Sequence, residues 1–192
     1  AQSIDDARAV RLEYKSVLDV DYVARPYRIA PCACDLPDVS EDGLVYTFRV
    51  IDDQLTAHDV VHSRSRLGDP DVVSPNGWML KNVKSIAATD DRTAVITLSS
   101  RCHHFAWLMT MPSAAVMKPD GSGTGPYELS KWWKNHEMVF RRRVPEKGRF
   151  DVVRYLVVDD ASTQWLMFLG KEVDGLGGID RNNWDAVVGK DG

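Results

Sequence analysis

Three cysteines and one histidine are the side chains of this sequence best suited to metal or redox chemistry. Cys32 and Cys34 stand two residues apart, which places both on one face of a strand, and Cys102 is followed by His103. Thiolate and imidazole are ligands that zinc prefers, but the CxxC pairs of common zinc sites are absent. Buried thiols or a single disulfide are the ordinary alternative, and three cysteines allow one intrachain bridge at most.

Two glycine-containing stretches could bind a ligand through their backbone. The first lies at 123–127 and precedes a predicted strand, and no Lys-Ser/Thr pair follows it, so it does not resemble a phosphate-binding loop. Its glycines permit positive φ and close approach of another backbone. The second, at 174–178, is predicted to end a short strand, where open α/β sheets commonly bind ligands. The candidate ligand-binding residues are Gly123, Thr124, Gly125, Tyr127, Asp174, Gly175, Leu176 and Gly177. For Tyr127 a place in the core is the stronger expectation, because aromatic rings are usually buried.

No motif of a catalytic site is present in the sequence. The GxSxG elbow, the HExxH helix and the Walker loop are all missing. The carboxylates are spread over turns and helix caps, so no paired acid and base stands out. We therefore expect a protein that is not an enzyme and that uses neither a cofactor nor a metal.

The charge balance argues against a nucleic-acid partner. The chain of 192 residues has 28 acidic and 24 basic side chains, a net charge of -4. A nucleic-acid surface needs concentrated positive charge to displace counterions from phosphates. No apolar stretch approaches the ~20 residues of a membrane-spanning helix.

The first half of the chain is predicted to mix helices with antiparallel strands. In one strand Leu44, Tyr46, Phe48 and Val50 share a face, and Thr56 is placed to cap the next helix. The predicted elements are a helix over 3–18 with Ser3 as cap, extended chain over 20–33, a strand over 44–51, a hairpin of 83–87 with 93–98, and a short helix from Phe105.

The second half is predicted to contain parallel sheet. Strands are expected over 127–132 and 137–142, and the apolar run at 152–158 is dense enough for a strand buried on both faces. A helix capped by Asp160 or Ser162 follows, then a strand from Val173 and a last helix capped by Asp180. Strand, helix and strand between Val152 and Leu176 form a βαβ unit. The Pro-, Gly- and Ser-rich stretch at 118–125 is the predicted boundary between two subdomains.

Several strings, in order, resemble the peptide- and nickel-type solute-binding proteins (family 5) of ABC transporters. They are SIDDARA, VSEDGLVYTFRV, LTAHDVVHSRSRLGDP, TDDRTAVITL, FAWLMTMPSAAVMKP, GTGPYEL, and DASTQWLMFL followed by GKEVDGLGGI. GTGPYEL is the most specific of them. One string alone would be weak evidence, but the ordered set covers nearly the whole chain.

The resemblance implies an α+β and α/β chain that forms part of one lobe of a type II periplasmic-binding-protein-like fold. Residues 10–117 would form the outer mixed α+β domain of the first lobe. Residues 1–9 and 118–192 would belong to its α/β ligand-binding domain, and the second lobe would lie outside these 192 residues. The connection 52–54 is shorter than is usual in the family. Whether the chain is a fragment or a natural short form with trimmed loops stays open.

The resemblance also implies a function: an extracytoplasmic component that binds an oligopeptide between two lobes and delivers it to a membrane permease. The expected location is periplasmic, or extracellular and anchored to a membrane as a lipoprotein. Two alternatives remain open. One is an interaction module without a transport role, and the other is a metal or redox protein using Cys32, Cys34, Cys102 and His103. The sequence does not decide the ligand or the oligomeric state.

Overall fold

The computed structural model describes residues 4–143 and 150–188. The helices are α1 (Ile4–Glu13), α2 (Ala57–Ser65), α3 (Phe105–Leu108), α4 (Ala161–Leu169) and α5 (Trp184–Val188). The strands are β1 (Leu18–Asp21), β2 (Arg28–Pro31), β3 (Asp38–Val39), β4 (Val45–Arg49), β5 (Val83–Ala88), β6 (Thr93–Leu98), β7 (Tyr127–Trp133), β8 (Glu137–Arg142) and β9 (Val152–Leu156). None of the described helices is long and apolar enough to cross a membrane.

The chain divides into two compact units. The first comprises the described residues within Ala1–Glu128 and Arg141–Asp151, and the second those within Leu129–Phe140 and Val152–Gly192. The first unit contains a β1-β2 hairpin and a four-stranded antiparallel sheet in the order β3-β4-β6-β5. The division into an outer domain over 10–117 and an α/β domain stays a prediction.

The core of the first unit lies on one face of its four-stranded sheet. Tyr46, Phe48 and Val50 are buried, as their alternation predicts, and they join the buried residues of β6. Ile96 is one of these β6 residues, and Val60 of α2 is buried in the same cluster. The predicted strand over 44–51 and the hairpin of β5 and β6 are both confirmed.

Helix α2 begins with a reciprocal capping box. Thr56 accepts a hydrogen bond from the backbone N–H of Asp59, and the Asp59 carboxylate accepts one from the backbone N–H of Thr56 at 2.8 Å. Each bond satisfies a backbone donor at the start of the helix that has no partner within the helix. The predicted cap is confirmed.

The first helix is shorter than predicted, because it ends at Glu13. The backbone from Ser16 onward is used for tertiary pairing instead: Val17 N–H donates to the carbonyl of Ala114, and Leu18 N–H to that of Met109. Helical spacing of apolar residues does not reveal such pairing, since the partners lie about a hundred positions away. Ser3, the predicted cap, lies outside the described residues.

The second unit is built on strands of a three-stranded sheet in the order β7-β8-β9. The strands predicted over 127–132 and 137–142 are confirmed, and Asp160 caps α4 by accepting the N–H of Thr163. The prediction that 152–158 is buried on both faces is wrong. Strand β9 ends at Leu156 and alternates between exposed and half-buried positions, because one of its faces is open in the described structure.

The predicted strand from Val173 is also wrong, and with it the βαβ unit. Residues 171–180 form turns and irregular backbone. Lys171 has a φ of 58°, which turns the chain directly after α4. Three of the six residues at 173–178 are glycines, which disfavour a strand. In the described structure this segment pairs with no strand of the β7-β8-β9 sheet.

We expect Thr56→Ala to destabilise the first unit by about 1 kcal/mol, because it removes the hydroxyl that accepts the Asp59 N–H. Urea unfolding followed by circular dichroism measures the change. Ser65→Ala is the matched control, because Ser65 lies at the other end of α2 and its side chain makes no capping hydrogen bond. Equal losses in both variants would contradict the capping role.

Candidate functional site

The glycine loop, defined as residues 123–125, packs against the end of helix α1. Gly125 N–H donates to the carbonyl of Glu13 at 2.9 Å. A Cβ placed on Gly123 would lie 2.2 Å from the Glu13 carbonyl oxygen, and one on Gly125 would lie 2.4 Å from that of Leu12. Close approach of two backbones, rather than positive φ, therefore requires glycine at both positions, and in this part of the chain positive φ occurs at Gly121.

The side chain of Thr124 points inward. Its hydroxyl donates to Oδ2 of Asp52 at 3.0 Å, and the residue is buried. Tyr127, which begins β7, is only 4% exposed, and its hydroxyl accepts the N–H of Phe150 at 3.2 Å. The backbone carbonyl of Tyr127 accepts a hydrogen bond from Nε of Arg143. Thr124 and Tyr127 of the predicted site are thus buried, and their hydroxyl groups already make hydrogen bonds within the first unit.

Asp52 is the centre of the polar network behind the glycine loop. Its buried carboxylate pairs with the ammonium group of Lys15 and also accepts hydrogen bonds from Thr124 and from the N–H of Gln54. The Asp52 carbonyl accepts a hydrogen bond from Arg92 at 2.7 Å. Residues from three distant segments, together with the neighbouring Gln54, therefore converge on one aspartate.

Burial of the Asp52 carboxylate would raise its pKa, but the hydrogen bonds from Lys15, Gln54 and Thr124 and the charge of Lys15 outweigh it. The net result is a pKa below the ordinary value. Asp52 is therefore ionised at neutral pH. A polar cavity of about 290 Å³ lies beside it, lined by Lys15, Cys32, Ile51, Asp52, Asp53 and Gln54.

Sequence reasoning missed the Asp52 network. Lys15 was included in a predicted helix, and Asp52 appeared only in a short connection between a strand and a helix. The sole signal is that Asp52 directly follows an alternating strand, four residues before a capping threonine. Nothing in the sequence links it to Lys15 or Thr124, which lie 37 and 72 positions away.

The second candidate stretch belongs to the second compact unit. Asp174, Gly175 and Gly177 are exposed and Leu176 is half-buried, in backbone that is irregular rather than extended. A Cβ on Gly175 would meet no atom within 4 Å. The structure therefore places half of the predicted residues in a packed loop of one unit and half in an open segment of the other.

The three cysteines are free thiols. Cys34 is buried and pairs with Val50 through its backbone, and burial, with smaller effects of Cys32 and Asp52, raises its pKa to about 12. Burial also raises the pKa of Cys32. Both thiols are thus protonated at neutral pH and are weaker nucleophiles than a thiolate. Within residues 4–143 and 150–188, no three Cys, His, Asp or Glu side chains are grouped so that they could hold a metal ion, and His103 is exposed.

The fold defines the class of protein: the chain is a partial lobe of the type II periplasmic-binding-protein fold. A Helicobacter pylori periplasmic binding protein, DppA, solved with the peptide STSA, superposes with a TM-score of 0.82 at 22% identity, over 97% of this chain and 44% of that one. Haemophilus influenzae OppA, in complex with RPPGFSPFR, superposes with a TM-score of 0.85 at 17% identity, again over 97% of this chain and 44% of that one.

Sequence comparison then identifies the family. Residues 28–192 match the description "Bacterial extracellular solute-binding proteins, family 5 Middle", and the chain belongs to this family. The periplasmic oligopeptide-binding protein OppA of Salmonella typhimurium is 28% identical in an alignment of length 178 that covers 70% of this chain and 33% of that protein. The chain thus spans about a third of this curated relative's length.

We expect Gly125→Ala to destabilise the first unit by about 1–3 kcal/mol, because the added Cβ would overlap the Leu12 carbonyl and force the two backbones apart. Gly175→Ala is the matched control and should change stability by less than about 0.5 kcal/mol, since its surroundings are open. Urea unfolding of both variants measures the difference. A neutral Gly125→Ala variant would show that the close approach is not required.

We expect Asp52→Asn to lower stability at neutral pH by about 1–3 kcal/mol, because it removes a charged acceptor of three hydrogen bonds. A carboxyl with a lowered folded-state pKa stabilises the fold above its unfolded-state pKa of about 4, and that contribution disappears as pH falls through the folded-state value. The difference between wild type and variant should therefore shrink below about pH 4.

Unfolding measured between pH 7 and pH 3 tests this expectation. Asp53→Asn is the control, because Asp53 is the exposed neighbour of Asp52 and should tolerate the change. A stability difference between wild type and Asp52→Asn that is independent of pH would be inconsistent with an ionised Asp52.

Proposed function

We propose that this chain forms part of the first lobe of an extracytoplasmic binding protein that takes up oligopeptides for an ABC permease. The observation that carries the proposal is the match of 97% of the chain to two binding proteins that were solved in complex with peptides. The 28% identity to an oligopeptide-binding protein supports the same ligand class.

The two candidate stretches have different parts in this proposal. The glycine loop, 123–125, makes its hydrogen bonds within the first unit: the Gly125 N–H donates to Glu13 and the Thr124 hydroxyl to Asp52. These bonds hold the start of β7 in place. Asp174, Gly175 and Gly177 are exposed in irregular backbone and are the better candidates for peptide contact. An extended peptide is recognised largely through its main chain, so an open backbone segment suits it better than a packed loop.

A second lobe is part of the proposal because binding by closure needs two surfaces. A ligand that touches both lobes only when they are shut shifts the equilibrium toward the closed form. The surface of α4 supports further packing: its sequence from Ala161 to Leu169 carries no charge, none of its residues is buried, and Leu166 is 66% exposed. Further polypeptide covering this helix would remove that apolar surface from water.

The alternative of an interaction module without a transport role is favoured by the same exposed helix. It predicts a protein partner rather than a peptide as the ligand. The metal or redox alternative has less support, because Cys32, Cys34, Cys102 and His103 belong to no metal-binding group in the described ranges.

Calorimetry with a mixture of three- to five-residue peptides tests the peptide proposal. We expect weak or no binding by the 192-residue chain, and dissociation constants of about 1 μM or lower for a longer polypeptide that joins it to a second lobe. Tight binding by the 192 residues alone would overturn the need for a second lobe. Failure of the two-lobe protein to bind any peptide, or its preference for a non-peptide solute, would overturn the ligand class.

A further inference from the structure

Strand β5 forms an edge of the four-stranded sheet in the first unit. The order of the described sheet is β3-β4-β6-β5, so β5 pairs with β6 on one side only. The opposite edge strand, β3, has two residues, whereas β5 has six and extends for about 20 Å. An edge of this length presents a row of backbone groups to which another extended chain can add.

The hydrogen bonds of the β5-β6 hairpin show which backbone groups of β5 face outward. Thr89 N–H donates to the carbonyl of Thr93 at 3.0 Å, at the end of the ladder. In an antiparallel pair only every second residue bonds to the neighbouring strand. Counting back from Thr89, Ala87 bonds to β6, and the N–H and C=O groups of Ile86 and Ala88 point away from it. These outward groups make no hydrogen bond to residues 4–143 or 150–188.

An open groove of about 620 Å³ lies against this strand. It is lined by residues 83–86 of β5 on one side, and on the other by the last turn of α2 and the segment at 66–70. Leu80 and Ile86 make part of its surface apolar. Ile86 thus combines outward-facing backbone groups with a neighbouring groove that has room for the side chains of a further strand.

The charges of the groove favour an acidic occupant. Arg66 and Lys84 line it, both are exposed, and neither forms a salt bridge within the part of the chain that the structure describes. The one carboxylate in the lining, Asp69, already accepts a hydrogen bond from the N–H of Asp71. Two cations therefore face the groove with one carboxylate, and acidic side chains of a bound strand would pair with them.

Lys84 also makes a second copy of this chain a poor occupant. The register with β6 shifts between Val83 and Ser85, so Lys84 is the extra residue of a β-bulge. A bulge and a lysine on an edge strand hinder the pairing of two identical edges. The same lysine attracts an acidic strand.

We propose that β5 and the groove beside it bind an extended, acidic segment of a partner protein, which adds to the sheet as a fifth strand. Its main chain would pair with the outward groups of Ile86 and Ala88, and its acidic side chains would lie near Arg66 and Lys84. This surface belongs to the first unit, whereas the segment at 174–177 belongs to the second. The inference is therefore independent of the proposed peptide contacts.

Titration of the 192-residue chain with a capped eight-residue peptide of alternating Glu and Thr tests the surface. We expect binding to slow hydrogen exchange at the amides of Ile86 and Ala88, measured by NMR, and to change it little at Ala87, which is already bonded to β6. A peptide with Lys in place of Glu should bind about tenfold more weakly or less, because its charges would be repelled. Absence of binding, or protection only at 174–177 or other distant sites, would overturn the proposal.

Charge reversal at Lys84 tests the role of the groove. Lys84→Glu should weaken binding of the acidic peptide about tenfold and strengthen binding of the lysine peptide. Lys81→Glu is the matched control, because Lys81 is exposed and does not line the groove. Equal effects of the two substitutions would contradict the assignment. Self-association of the chain through β5, detected by sedimentation without peptide, would assign this edge to a second copy instead.

N-methylated peptides test whether the bound chain pairs as a strand. A strand directs the N–H groups of alternate residues to opposite edges, so methylation of every second amide blocks one edge only. We expect one of the two alternately methylated isomers of the acidic peptide to lose at least about tenfold in affinity while the other retains it. Equal affinities of the two isomers would overturn strand addition.

Discussion

The buried carboxylate of Asp52 is the interaction on which the candidate site depends. It receives the ammonium of Lys15 from the segment after α1 and the hydroxyl of Thr124 from the glycine loop. Its own carbonyl is held by Arg92 from the turn between β5 and β6. A buried carboxylate costs free energy unless its lone pairs accept hydrogen bonds, so separating these segments would destabilise the fold. The glycine loop, and with it the start of β7, is positioned as a consequence.

Packing of the glycine loop explains why the most specific string of the sequence need not be a ligand contact. Gly123 and Gly125 lie against the carbonyls of Leu12 and Glu13, where no side chain fits. A glycine pair with this constraint is required in any protein that joins these elements in the same way. The signal that identifies the family is therefore in part a signal of backbone packing, and our proposal assigns ligand contacts to the open segment at 174–177 instead.

Two features of the chain remain incompletely satisfied by the residues that the structure describes. Helix α4 is uncharged and has no buried residue, and Arg64 is a buried cation without a counter-ion. The helix lacks apolar contacts, and the arginine lacks an opposite charge. They lie in different units and are independent of each other.

Local patterns in the sequence determined much of this fold. Alternation in β4, the turn between β5 and β6, the capping box at Thr56 and the cap at Asp160 all involve neighbours in the chain, so residue type and spacing suffice to predict them. The ordered strings also led to the family that the comparisons show. What only the tertiary structure decided depends on distant partners: the end of α1, the Asp52 network, the isolation of Arg64 and the absence of a strand at 173–177 from the described sheet. A strand needs a ladder and a buried charge needs a partner, and neither is visible until the chain has folded.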